Sequence, residues 1–163
     1  VYEEEGDEMS MILESSAFKS GDRIPVKYTC DGENISPPFT WHGVPSEAQS
    51  LVLICDDPDA PRGVFSHWVL YNLPTGREIL NENVPPDAEL PGGGTQGRND
   101  FGEMGYGGPC PPRGSSHHYY FRFYALEQVL DLPAGATRQQ VLDRIQGHIL
   151  DSTEVLGLYA RSR

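Results

Sequence analysis

Residues Leu51–Pro74 read LVLICDDPDAPRGVFSHWVLYNLP. Two short apolar runs, Leu51–Asp57 and His67–Leu73, flank a cluster rich in Pro and Asp, and each run stops at a proline, Pro58 or Pro74. Runs of this length, rich in Val, Ile and Leu and cut by a residue with no backbone N–H, read as buried strands. Working outward, His117–Leu126 (HHYYFRFYAL) is dense in the aromatic residues that suit a pleated surface, and Glu154–Ala160 (EVLGLYA) predicts a fourth strand. Stretches around Ile12–Phe18 and Ile24–Tyr28 predict further short strands. One helix is expected: Thr137 followed by Gln140 forms a capping box, and Val141, Ile145, His148 and Ile149 then recur on one helical face. Strands in series with a late helix, and no internal repeat, predict a mainly β sandwich with a peripheral helix rather than alternating βαβ units.

The 163 residues are the usual size of one domain and can bury a single sizeable core. Twelve basic against 24 acidic side chains give a net charge of −12, which argues against a nucleic-acid binder that works by displacing counterions. No apolar run approaches the roughly 18 residues of a membrane span, and the N-terminus is acidic where a signal peptide would be basic. Residues 1–10 (VYEEEGDEMS) hold five of the acids and no base, and are expected to form a disordered tail ahead of one domain over residues 11–163. The three cysteines, Cys30, Cys55 and Cys110, are odd in number and widely spaced, unlike a disulfide framework or a CxxC zinc site. Cys55 reads as a small core residue. Cys30 and Cys110 both sit in Gly/Pro-rich loops, so their pairing stays open, and a reducing cytoplasmic setting is the default. The sequon Asn34-Ile35-Ser36 is too common a pattern to change that setting.

Glycine and proline are concentrated in Pro91–Gly114, where 24 residues hold nine glycines and four prolines. A loop of that length inside a compact domain is usually functional or flexible, and glycines let backbone come close to a ligand. It lacks the lysine and the following helix of a phosphate loop.

Strand alternation selects four polar groups. Leu51, Leu53, Cys55 and Asp57 share one face; His67 begins the face of Val69, Tyr71 and Leu73; His117, Tyr119, Phe121 and Phe123 share a third. If these strand ends converge, Asp57, His67, His117 and Tyr119 make a small polar pocket at the edge of the core. Imidazoles and a phenol donate hydrogen bonds to an anion, and a neighbouring carboxylate fixes a histidine tautomer and favours its charged form. The alternative is that each is a separate hydrogen-bonded residue at a strand end, because a period of two does not show which strands are neighbours.

The wording of the motifs adds to this. Asp57-Pro58-Asp59-Ala60-Pro61 followed by His67-Trp68-Val69-Leu70-Tyr71-Asn72-Leu73-Pro74 resembles the first signature of the phosphatidylethanolamine-binding protein family. Gly107-Gly108-Pro109-Cys110-Pro111-Pro112 leading into His117-His118-Tyr119 resembles that family's Gly-Pro-Pro and His-Arg-Tyr. Tyr28-Thr29-Cys30-Asp31-Gly32 and Ser36-Pro37-Pro38 are similar to its bacterial and archaeal, Raf-kinase-inhibitor-like branch. The resemblance runs from about Met11 to the C-terminus. It implies an antiparallel β-sandwich with one or two peripheral helices and a small anion pocket for a phosphate-bearing small molecule or a phospholipid head group. The ligand-binding residues it implies are Asp57, His67, His117 and Tyr119, with Gly108, Pro111 and Pro112 as the pocket wall. Asp59 matches the motif's second aspartate and is expected to bond local backbone in a turn. The chain departs from the pattern at His118, where the family has arginine. It also ends soon after the last strand, without the C-terminal helix of animal members, so a more open pocket is expected.

Binding without catalysis is the expected function, with no cofactor. No GxSxG elbow or HExxH pattern is present, Ser66 should point away from His67, and His42 and His148 read as structural. Two alternatives stand beside it: a protein-interaction module that inhibits a kinase or serine protease, and a hydrolase using Cys110 or a metal held by Asp57, His67 and His117. The resemblance also makes a homodimer an expectation.

Overall fold

The computed structural model describes residues 10–162, so apart from Ser10 the acidic segment at residues 1–10 lies outside the described residues. Among the described residues, eight strands form two antiparallel sheets: β1 (Ile12–Glu14), β2 (Phe39–His42), β3 (Ser50–Asp57), β4 (Phe65–Leu73), β5 (Ile79–Leu80), β6 (Thr95–Gln96), β7 (Ser116–Leu126) and β8 (Ile149–Ala160). The smaller sheet has the order β1-β2-β5 and the larger β6-β4-β3-β7-β8. The main core fills the space between them, with Leu13, Phe39, Trp41 and Leu80 meeting Leu53, Cys55, Trp68, Leu70, Phe121 and Phe123. Helix α1 (Arg138–Ile145) covers the outer face of the larger sheet, where Val141 and Ile145 pack on Val52, Ile54, Val69 and Tyr71. Strand β3 is therefore buried on both faces and at every position, which is why its sequence is a nearly continuous apolar run. The mainly β sandwich with a peripheral helix is present as expected.

The local expectations differ at three places. Thr137 caps α1, with both bonds of the capping box made to Gln140, but the helix stops at Ile145. Gly147 then adopts a positive φ of 81°, and Ile149 starts β8 instead of extending the helical face. Around Ile24–Tyr28 the chain makes a single 3-10 turn, Val26–Tyr28, entered at Pro25. The short strands β2, β5 and β6 carry too few residues to show a period of their own.

The third difference bears on function. Alternation puts His67 on the face of Val69, Tyr71 and Leu73, yet Val69 and Tyr71 lie under α1 while Leu73 joins the main core. Two β-bulges in β4 explain this. Cys55 pairs with Trp68 while the next residue, Asp56, pairs with Ser66, so His67 is an extra residue in the ladder. A bulge turns two successive side chains towards the same side and re-aims the first. His67 is thereby brought to the Trp68 face, the one shared with Asp57 and Tyr119. The second bulge lies between Leu70 and Leu73, where Asn72 takes a left-handed φ of 53°. The Asn72 amide holds it: Nδ2 donates to the Leu130 carbonyl and Oδ1 accepts from the Leu130 N–H, each at 2.8 Å.

Candidate functional site

The long segment Pro91–Gly114 is laid along β4 rather than left loose. The Asp100 N–H donates to the Ser66 carbonyl at 2.9 Å, the Asp100 carboxylate accepts the Ser66 N–H at 2.7 Å, and the Gly107 N–H donates to the His67 carbonyl at 2.9 Å. Asn99 ties the intervening turn by accepting from Phe101 and Glu103 and donating to Gly105. From there the chain crosses beside the 3-10 turn. The Gly108 N–H donates to Asn34 Oδ1 at 2.9 Å, and a Cβ on Gly108 would lie 2.4 Å from the Tyr28 carbonyl oxygen. Only glycine permits that approach. A Cys30–Cys110 disulfide, with Cα atoms 5.4 Å apart, closes the same seam.

A cavity of about 140 Å³ lies where these pieces meet the ends of β3, β4 and β7. Asp57, His67, His117 and Tyr119 line it, with Pro111 and Pro112 on the wall. The four polar groups singled out by alternation and by resemblance are thus brought together, although His67 arrives through the bulge. Gly108 stands behind the wall and is not among the lining residues. Five groups not foreseen as lining the pocket, Ala60, Pro61, Phe65, Phe101 and Cys110, complete it. Phe65 could have been found two positions before His67 on its strand. Phe101 carries no periodic signal, because it is an aromatic residue inside a glycine-rich segment.

Hydrogen bonds set the orientation of both imidazoles. His67 Nδ1 lies 2.7 Å from the Gly107 carbonyl oxygen, which can only accept, so Nδ1 carries the proton and Nε2 is left for the cavity. His117 Nδ1 lies 2.7 Å from Asp57 Oδ2 and is held the same way by the carboxylate. The other oxygen, Asp57 Oδ1, accepts the Asp59 N–H at 2.8 Å. The His67 ring is packed against Phe65, Phe101 and Tyr119, with centroids 5.0, 5.4 and 5.2 Å away. This burial pushes the His67 pKa below the ordinary histidine value, against smaller opposing effects of the Gly107 carbonyl and of Asp57. The Tyr119 phenol is driven the other way, far above its usual range, by burial first and then by the Asp57 charge, so it stays a donor. Its hydroxyl is buried and meets no acceptor at full hydrogen-bond geometry among the described residues, although the Asp57 carboxylate acts on it through a weaker hydrogen bond.

Asp59 does something other than bond local backbone. Its Oδ2 accepts both the His118 backbone N–H, at 2.8 Å, and the His118 ring, Nδ1 lying 2.6 Å away. His118 therefore fastens the β3–β4 turn to β7 on the outer side of the pocket, and its hydrogen bond lowers the Asp59 pKa. With its sulfur in the disulfide, Cys110 has no thiolate to act as a nucleophile, which overturns the hydrolase alternative built on it. The odd count of three cysteines arises because Cys55 is buried in the core while the other two pair. Asp57 spends its oxygens on His117 and on the Asp59 N–H, and among the described residues no three His, Cys, Asp or Glu side chains converge as a metal set. Nor is any helix of the described residues long and apolar enough to cross a membrane.

Comparison with known proteins follows the same lines. A family model described as phosphatidylethanolamine-binding protein matches residues 14–160. A UPF0098 protein of Methanothermobacter thermautotrophicus is 56% identical over 151 residues, spanning 93% of this chain and 99% of that protein. Among solved structures, a phosphatidylethanolamine-binding protein homologue from Chlamydia trachomatis is 43% identical, with a TM-score of 0.85 over 94% of this chain and 99% of its own. YbcL of E. coli, described as a member of the mammalian phosphatidylethanolamine-binding protein family, is 32% identical with a TM-score of 0.86, covering 93% of this chain and 98% of YbcL.

Proposed function

The chain belongs to the phosphatidylethanolamine-binding protein family, and from that premise we propose that it binds the phosphate of a small molecule or lipid head group between His67, His117 and Tyr119. The observation that carries this reading is the Tyr119 hydroxyl. It is a buried donor with no acceptor at full hydrogen-bond geometry among the described residues, in the lining of a cavity shared with His67 and His117, each of which has its Nδ1 already engaged. An unmet buried hydroxyl costs the fold about 1–3 kcal/mol, and a ligand oxygen that accepts from it offsets that cost. A cavity of about 140 Å³ suits a tetrahedral anion with its substituent directed outwards. Phe65, Phe101 and Pro112 shield the donors from water and so strengthen each bond.

The role is binding rather than catalysis. None of the lining groups is an activated nucleophile, since the Cys110 sulfur is bonded and Asp57 is committed to His117. Calorimetric titration with inorganic phosphate and with phosphoethanolamine tests the reading. Saturable binding is expected in the wild type, with a loss of at least tenfold in a His67→Ala, His117→Ala double variant, from about 1.5–3 kcal/mol per bond to a charged group. Equal affinity in the two proteins would place the binding surface elsewhere.

A further inference from the structure

The pocket contains more than donors. His67 lines the cavity, and in its neutral form, which burial favours, the ring proton is held at Nδ1 by the Gly107 carbonyl and Nε2 is unprotonated. Around that ring the titratable neighbours are Asp57 from β3, Asp100 from the glycine-rich segment, and Tyr119 and His117 from β7. Among the described residues, no lysine or arginine lines the cavity. If His117 carries a second proton, its charge is cancelled by the Asp57 carboxylate 2.7 Å away, so the pair offers a ligand no net positive charge. A site built this way has Tyr119 as its firm donor and His67 Nε2 as a lone pair facing inwards. An oxyanion entering it meets one oxygen-to-nitrogen contact that is repulsive unless a proton lies between the two atoms.

Resting on the phosphate-binding reading above, we propose that this pocket selects phosphate monoesters, and rejects phosphodiesters and sulfate, by requiring a shared proton between the ligand and His67 Nε2. A phosphate monoester loses its second proton at a pKa of about 6, so near neutral pH it binds as the hydrogen phosphate, or brings the proton in with it, at little cost. A phosphodiester and a sulfate hold no proton in that range. Either must wait for His67 to be protonated from solvent, which burial among Phe65, Phe101 and Tyr119 opposes. The lone pair thus works against the wrong ligand as much as for the right one. The lipid head group of a diester phospholipid falls on the rejected side, and a phosphomonoester metabolite or phosphorylated side chain on the accepted side.

Titration calorimetry on the full chain decides this, with phosphoethanolamine against its diester counterpart glycerophosphoethanolamine, and inorganic phosphate against the size-matched sulfate. Each titration is run at pH 8 and pH 6 in two buffers of different ionisation enthalpy. At pH 8 the monoester and inorganic phosphate should bind at least tenfold more tightly than their partners, the monoester with about one proton taken up per ligand bound and inorganic phosphate with less, because its hydrogen-phosphate dianion already carries the shared proton. Sulfate should gain at pH 6. In His67→Gln, whose folding is checked by thermal melting, both the gap and the proton uptake should shrink. Sulfate binding as tightly as phosphate at pH 8, or monoester binding with no proton uptake, overturns the selectivity while leaving a phosphate-binding site in place. Failure of all four ligands to bind overturns the phosphate-binding reading itself.

Discussion

At the scale of single residues, the two functions of a side chain can be separated by measurement. Tyr119→Phe removes a buried hydroxyl that has no acceptor at full hydrogen-bond geometry among the described residues. The free variant should melt at the same temperature as the wild type or slightly higher, because an unmet desolvation cost of about 1–3 kcal/mol disappears. Its affinity for phosphoethanolamine should nonetheless fall about tenfold, and a parallel loss of stability and binding would contradict the assigned role. His67 makes a different prediction. Its folded pKa lies below its unfolded value, so between the two the unfolded chain binds more protons. Stability from this group is present above the ordinary histidine pKa of about 6.5 and is lost as pH falls below it. Melting temperatures followed from pH 8 to pH 5 should decline less steeply in His67→Gln than in the wild type, and saturating phosphate should flatten the wild-type slope, since it favours the protonated site.

At the scale of elements, the deciding feature is the pair of bulges in β4. Asn72 stabilises one of them by taking a left-handed backbone and making two bonds to Leu130. Asn72→Val puts a β-branched residue into that backbone and leaves the Leu130 groups unpaired. The expected loss is about 2–4 kcal/mol, read as a lower denaturant midpoint with an unchanged slope. Elements of this kind mark the limit of what the sequence alone reveals. Strands β3, β4 and β7 were legible nearly to their ends because each buries enough apolar residues, whereas β8 was read only from Glu154, because Ile149–Thr153 are exposed or half-buried. The faces of Asp57, His117 and Tyr119 were legible because β3 and β7 run in regular register from Ser50↔Leu126 to Asp56↔Tyr120, whereas their convergence rested on the resemblance, since alternation does not show which strands are neighbours. His67 was expected in the same pocket, but the period of two behind that expectation is broken by one residue at the bulge. Local pattern carries no trace of an inserted ladder residue, so only the resemblance of the motif secured it. The end of α1 was overrun for a related reason: His148 and Ile149 continue the helical spacing by coincidence, and Gly147 outweighs them by favouring a left-handed turn.

At the scale of the whole molecule, the pocket is a junction of parts far apart in the chain. Its polar groups come from three strands of one sheet, and its wall is bound through Gly108 and Cys110 to the turn that follows Val26–Tyr28. The disulfide spans a sequence separation of 80 residues, a loop for which restricted unfolded-chain entropy is worth about 4–5 kcal/mol. A Cys30→Ser, Cys110→Ser variant should unfold at a clearly lower denaturant concentration. Because Cys110 lines the cavity, its phosphate affinity should also drop severalfold; unchanged affinity would show that Gly108 and Asn34 position the wall by themselves. The same cross-link has a consequence for how the chain survives being cut. Arg62 sits exposed in the turn between β3 and β4, between the two bonded cysteines in sequence. Trypsin cleaving after Arg62 separates two fragments that each retain one half of the disulfide and one strand of the β3–β4 pair. The nicked protein should therefore migrate as one species without reductant and as two with it, a protease-resistant scaffold despite an open backbone.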